Sequence, residues 1–304
     1  MVLTGQQPEP WLAVLLASLL RAGHGLDWEL VAALAEGQDL LEAFAGHLPR
    51  GRLQQLTGSH RNPAKARNRA LHHCRGELVI FLSSEQRCCP QRLALPHQLL
   101  NQHPDIDLLA SGWLVGEINH QPWQEGSDYD AATLLRHRAL RLGCITVRRS
   151  ALERLGGVRD QVEAWSGIDL ALSLQGQGSQ AAWVNQPLMR YRPRHQLACD
   201  AARLQRGMEQ LMELHGQGIR PEHLLELRFA VLAWSAGLAW QQQRPEQALQ
   251  LLQQAALSAP LPVPRARVQL LEQWGRSQRW CGSAVQAEAL LHSEYWHCSV
   301  SFWP

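Results

Sequence analysis

Ser83-Ser84-Glu85-Gln86 follows directly on Glu77 to Leu82 (ELVIFL), a continuous apolar run of strand length. Such a run fits a strand covered on both faces. In an open α/β sheet, ligands bind just outside the carboxyl ends of the strands, so these polar residues mark a candidate active-site edge. Glu85 is the carboxylate there, a hard oxygen donor of the kind that magnesium and manganese prefer, and Ser83 and Ser84 add neutral hydroxyls. Arg67 and Asn68 lie near the start of a helix expected to point at the same edge. An arginine and a helix N-terminus both attract anions; a surface arginine and a helix-packing asparagine are the plainer alternative. His72-His73-Cys74 and Cys88-Cys89 are metal-type residues, but their spacing is not that of a zinc finger. No HExxH, GxSxG, P-loop or GxGxxG occurs.

The elements that must position these residues alternate between strand and helix. Val2 to Thr4 reads as a first strand, Trp11 to Ala22 as an apolar helix, and Asp27 to Leu34 as a second strand, although its alanines also permit a helix. Leu40 to His47 is predicted helical and Arg52 to Thr57 extended. The helix carrying Arg67 should run from Pro63, which suits a first turn, to Cys74, with Gly76 ending it. Helices are expected at Gln91 to Gln102, Ala131 to Arg138, Ala151 to Leu155 with Ser150 as cap, and Ile168 to Leu174. Strands are expected at Ile106 to Leu114, Cys144 to Val147, Ala181 to Val184 and Leu188 to Tyr191. This alternation predicts an α/β fold, a mostly parallel sheet flanked by helices. From about Asp200 the glycine-marked strands stop and helical patterns take over, so residues 1–195 and 200–304 read as two domains. Leu224 to Ala259 is similar to one tetratricopeptide-type hairpin without a second copy, which suits packing more than partner binding but leaves a protein partner open.

The whole chain has 304 residues, is 45% hydrophobic and carries a net charge of +2, values of an ordinary globular protein without a nucleic-acid or polybasic membrane surface. Its seven cysteines are odd in number and form no CxxC, as expected of reduced thiols. MVLTGQQPEPW lacks a basic n-region, and Trp11 to Leu20 is too short to cross a bilayer, so the sequence predicts a soluble, cytoplasmic protein without a transmembrane segment.

Arg61 to Pro90 resembles the central part of a family 2 glycosyltransferase of the GT-A fold. Ala66-Arg67-Asn68, Gly76-Glu77, the apolar strand and Pro90 keep that family's frame, while Ser83-Ser84-Glu85 stands where the family has Asp-x-Asp. The resemblance extends over residues 2–192. The base-reading acid after the second strand is absent unless Glu36 or Asp39 substitutes. Cys144 to Asp160 and Gly167 to Gly178 match the strand, Arg-Arg, Gly-Gly and helix on the acceptor side. Ser166 and Gly167 occupy the places of the family's Glu-Asp, leaving Asp169 as the nearby carboxylate. The resemblance implies inverting transfer from a nucleotide-diphosphate sugar to a glycan or other hydroxyl acceptor. A divalent cation, Mg or Mn, would be held by Glu85, with Asp169 as general base. Glu36, Arg67, Asn68 and Ser83 would bind the donor, and Trp113, Trp123 and Trp165 would line the acceptor cleft. Asp169 reads equally as an acid favoured by a helix dipole. A catalytically degenerate member that binds a glycan, a nucleotide or another protein is the alternative, since all three acid motifs are altered.

Overall fold

The computed structural model describes residues 1–5, 10–34, 44, 47–48, 52–56, 62–84, 86–115, 118–120, 140–159, 161–162, 165–191, 201–218, 221, 224–225, 228–229, 231–232, 235–236, 239 and 244–258. The chain divides into two compact units, one built from Met1–Tyr129 and Ala139–Pro193, the other from Asp130–Arg138 and Arg194–Trp303.

The first unit is a sheet with helices. In chain order its described elements are β1 (Val2–Gly5), α1 (Pro10–Ala22), β2 (Leu30–Leu34), β3 (Leu53–Leu56), α2 (Pro63–Leu71), β4 (Leu78–Ser83) and β5 (Gln86–Cys88). They continue with α3 (Ala94–Gln102), β6 (Ile106–Val115), β7 (Ile118–His120), a 3-10 turn at Leu142–Cys144, β8 (Ile145–Arg148), α4 (Arg149–Leu155), α5 (Ser166–Gly176) and β9 (Gln180–Tyr191). The strand order is β3-β2-β1-β4-β8-β6-β9-β5, with β7 beside β6. Pairings from β3 through β4 are parallel, β8 is antiparallel to both β4 and β6, β9 is parallel to β6, and β5 is antiparallel to β9. The α/β sheet expected from the sequence is thus present, with a parallel first half and a mixed second half. Its directions have one consequence for chemistry. β1, β2, β3, β4, β6 and β9 all deliver their carboxyl ends to the same edge, where β5 and β8 begin.

Central strands are apolar throughout because both faces are covered: Val2, Leu3, Leu30 to Ala33 and Val79 to Leu82 are all buried. α2 packs on β1 and β2, and the small residues Ala64, Ala66 and Ala70 are buried. Asn62 caps it, its side-chain oxygen accepting from the Ala64 and Lys65 amides at 2.9 and 3.1 Å. The helix ends at Leu71, three residues before the expected Cys74.

Two expectations need correction. The strand end of the sheet is one strand of 12 residues, Gln180–Tyr191, not two. Asn185-Gln186-Pro187 reads locally as a break, but the chain absorbs it in a bulge: Val184 stands opposite Ser111 and Pro187 opposite Gly112. Ser150 is not a cap. α4 begins at Arg149, and the capping position is Arg148, whose guanidinium donates to the carbonyls of Leu100 (2.6 Å) and Ile106 (2.9 Å). The helix ends as expected at Gly156, with φ at 79°. Leu40 to His47 falls largely, and Ala131 to Arg138 wholly, outside the described residues.

In the second unit, α6 spans Ala201–His215 and α7 spans Pro245–Ser258. Ala248, Leu251, Leu252, Ala255 and Ala256 are buried, the spacing of one apolar helix face. Among the described residues, no helix is long and apolar enough to cross a membrane.

The loop after α4 is tied to α2 through Asn68. Its Nδ2 donates to the Val158 carbonyl and its Oδ1 accepts from the Val158 amide, both at 2.8 Å. Asn68→Ala removes both bonds and leaves a part-buried backbone pair unsatisfied. It is expected to lower stability by about 1–3 kcal/mol, read as a lower urea midpoint at unchanged m-value.

Candidate functional site

At the shared strand edge, residues from five elements converge on Tyr191, the last residue of β9. Gln86, the first residue of β5, donates from Nε2 to the Tyr191 hydroxyl at 3.0 Å, and its Oε1 accepts from the Ser83 amide at 3.0 Å. Gly143 sits against this pair, and a Cβ there would overlap the Gln86 amide. The Cys144 thiol lies 3.7 Å from the phenol. Arg141 stacks its guanidinium carbon 4.5 Å from the Tyr191 ring centre and 5.6 Å from that of Trp113.

Behind the edge, Arg92 is fully buried. Its Nη1 donates to Thr146 Oγ1 (2.7 Å) and its Nη2 to the carbonyls of Gly143 (3.0 Å) and Ile145 (2.8 Å). Burial disfavours its charge, and burial likewise lowers Arg67 to about 10, against which the nearby Tyr191 phenol works. Arg67 therefore remains a cation at neutral pH. Burial pushes the Cys144 and Cys88 thiols up to about 11 and the Tyr191 phenol well above its ordinary range, so these groups stay protonated.

The residues expected from the sequence separate into three sets. Arg67 reaches this edge from α2, and its Nη1 is buried without a hydrogen-bond partner among the described residues. Ser83 ends β4, its amide bonded to Gln86. Asn68, however, holds the Val158 backbone with both polar atoms of its side chain. Trp113 and Trp165 are 1% and 5% exposed, so neither offers an open ring face for a sugar to stack on. Glu36, Glu85 and Trp123 lie outside the described residues.

Asp169 lies in the first turn of α5 and is 2% exposed. Arg159 donates to its Oδ1 at 2.7 Å and to Ser173 Oγ at 2.6 Å. Arg159 also lines a hollow of about 430 Å³ between α2 and the 155–161 loop, together with Lys65, Asn68 and Gly157. Gly167, two residues before Asp169, is fixed by packing: a Cβ there would overlap the Leu140 carbonyl.

Among the described residues, no group of three His, Cys, Asp or Glu side chains could hold a metal ion. The described side-chain donors around Tyr191 are hydroxyls, amides and guanidiniums, without the anionic oxygens that a divalent cation favours.

No protein-family model matches the chain. O-antigen biosynthesis protein RfbC of Myxococcus xanthus is 29% identical over 161 residues, which are 50% of this chain and 12% of that much longer protein. Solved structures match over nearly the whole length. S. aureus TarS 1-349 in complex with UDP-GlcNAc is 14% identical, with 91% of this chain and 86% of that one covered and a TM-score of 0.59. Mannosyltransferase PcManGT from Pyrobaculum calidifontis, in complex with GDP-Man and Mn2+, is 17% identical, with 97% and 86% covered and a TM-score of 0.56. The chain carries a glycosyltransferase fold.

Within that fold, sequence reasoning missed Arg141, Arg92, Arg159 and Tyr191. Tyr191 carried a signal, a polar aromatic closing a strand at the ligand edge. The arginines carried none, because their partners are 10 to 54 residues away. Gly167→Asp, which would restore a carboxylate in the first turn of α5, forces the side chain against the Leu140 backbone. It is expected to lower stability by about 1–3 kcal/mol or more, measured by urea unfolding.

Proposed function

We propose that the first unit binds a nucleotide-diphosphate sugar at the carboxyl edge of its sheet and transfers the sugar to a hydroxyl of a glycan or other acceptor. The observation that carries this reading is Arg67: a buried guanidinium nitrogen without a partner among the described residues, at the ligand edge of a fold whose solved likenesses hold UDP-GlcNAc or GDP-Man. An anionic diphosphate supplies the acceptor oxygens that this nitrogen lacks.

In the inverting reaction the acceptor oxygen attacks the anomeric carbon from the side opposite the diphosphate. The bond from that carbon to the diphosphate oxygen breaks, and the acceptor's proton passes to a base. Asp169 is the described carboxylate near this edge, and a positioned base contributes about 10²–10⁴-fold. Arg159 holds one of the two Asp169 carboxylate oxygens. Glu85 is the sequence's anionic candidate for Mg or Mn, and no step here depends on the cation.

A second reading is favoured by that same ion pair. A buried Asp169 already bonded to Arg159, beside a glycine that packing forbids from carrying an acid, suits a non-catalytic module that binds a nucleotide, a glycan or a protein. Calorimetry with UDP and GDP, with and without Mn2+, tests ligand binding by the full chain. Binding of either is expected, and failure of both under both conditions would overturn the nucleotide reading. Turnover of a bound nucleotide sugar separates the two readings. Asp169→Asn is expected to cut it by about 10²-fold or more with nucleotide affinity retained, whereas no turnover from the unaltered chain would favour the binding module.

A further inference from the structure

Three of the described ion pairs hold their acids at the amino ends of strands: Asp27 before β2 pairs with Arg52, Glu77 before β4 with Arg148, and Asp107 at the start of β6 with Arg154. Asp169, in the first turn of α5, is paired with Arg159. At the carboxyl edge the described groups around Tyr191 are Arg67, Arg92 and Arg141, none of which pairs with a carboxylate among the described residues. Arg92 donates from both terminal nitrogens to neutral oxygens, while its Nε has no partner among the described residues. Arg141 is half-buried, and its planar face rests on Tyr191 and Trp113. Arg67 keeps a buried donor without a partner among the described residues. Removing a cation from water without a counter-charge is costly, so this arrangement is stable in proportion to the anion that completes it.

From this geometry we infer that Arg67 and Arg141 together neutralise the diphosphate of the bound nucleotide, so that binding needs no divalent cation. The inference rests on the reading of this edge as a nucleotide-diphosphate site. Two guanidiniums supply the charge of one dication, and each adds a planar fork of N–H donors that matches phosphate oxygens. Among the described residues the donor set agrees, since Ser83 and Gln86 offer neutral groups already bonded to each other through the Ser83 amide. The backbone agrees as well. Because Gly167 has no side chain, the Leu140 carbonyl lies against the first turn of α5, and the next residue, Arg141, is carried over Tyr191.

The test is calorimetric titration of UDP and of GDP into the full chain, in EDTA and in Mn2+, repeated with Arg67→Gln, Arg67→Lys and Arg141→Gln. At least one nucleotide is expected to bind in EDTA, with an affinity that Mn2+ changes by less than about threefold. Each glutamine substitution should weaken that binding by about tenfold or more, and Arg67→Lys by less than Arg67→Gln. The Arg141 side chain makes no hydrogen bond among the described residues, so Arg141→Gln gives the answer should the Arg67 variants fail to fold. Binding that appears only with Mn2+ overturns the guanidinium inference and leaves the nucleotide-sugar reading standing. So does binding in EDTA that the substitutions leave unchanged. Absence of binding in both media removes the nucleotide reading itself.

Discussion

Arg92 is the buried guanidinium on which the candidate site depends. Its three hydrogen bonds fix Gly143, Ile145 and Thr146, the turn that leads into β8. That turn places Gly143 where Gln86 and Tyr191 can meet, and it sets the preceding residues so that Arg141 covers Tyr191 and the Leu140 carbonyl closes on Gly167. Among the described residues the partners of Arg92 are carbonyl and hydroxyl oxygens alone, its Nε has none, and burial disfavours its charge. Its field acts on its surroundings, and it counts among the charges that favour ionisation of Tyr191 against the larger effect of burial.

The polar edge and the arginines belong to one physical situation. At Ser83-Ser84 and at Ser166-Gly167, which carry no carboxylate, the neighbouring backbone and side chains bring neutral donors and positive charge. At Gly167 packing enforces the glycine, because the Leu140 carbonyl occupies the room a side chain needs. Asp169 remains, as a buried group with one carboxylate oxygen bonded to Arg159.

Much of the fold was legible because it rests on local rules. The run from Leu78 to Ser83 could only be buried on both faces, Asn62-Pro63 is a helix start, and Gly156 supplies the left-handed residue that ends α4. Less legible was whatever depends on a partner strand. Asn185-Gln186-Pro187 looks like a turn in isolation, yet β6 holds it as a bulge within one long strand. Ser150 looks like a cap, yet the extended backbone at Arg148, anchored to carbonyls from Leu100 and Ile106, starts the helix two residues earlier.

The candidate site divides along the same line. Sequence alone determined that the polar edge follows β4, that Arg67 sits on the helix facing it, and that carboxylates are scarce there, since residue type and strand periodicity need no knowledge of distant contacts. Only the tertiary structure decided that Asn68 is a clasp for Val158, that Trp113 and Trp165 are buried, and that Arg141 and Tyr191 belong to the site. Those outcomes follow from strand order and register, which join residues far apart in the chain, and no local spacing encodes which distant side chain will arrive at a given edge.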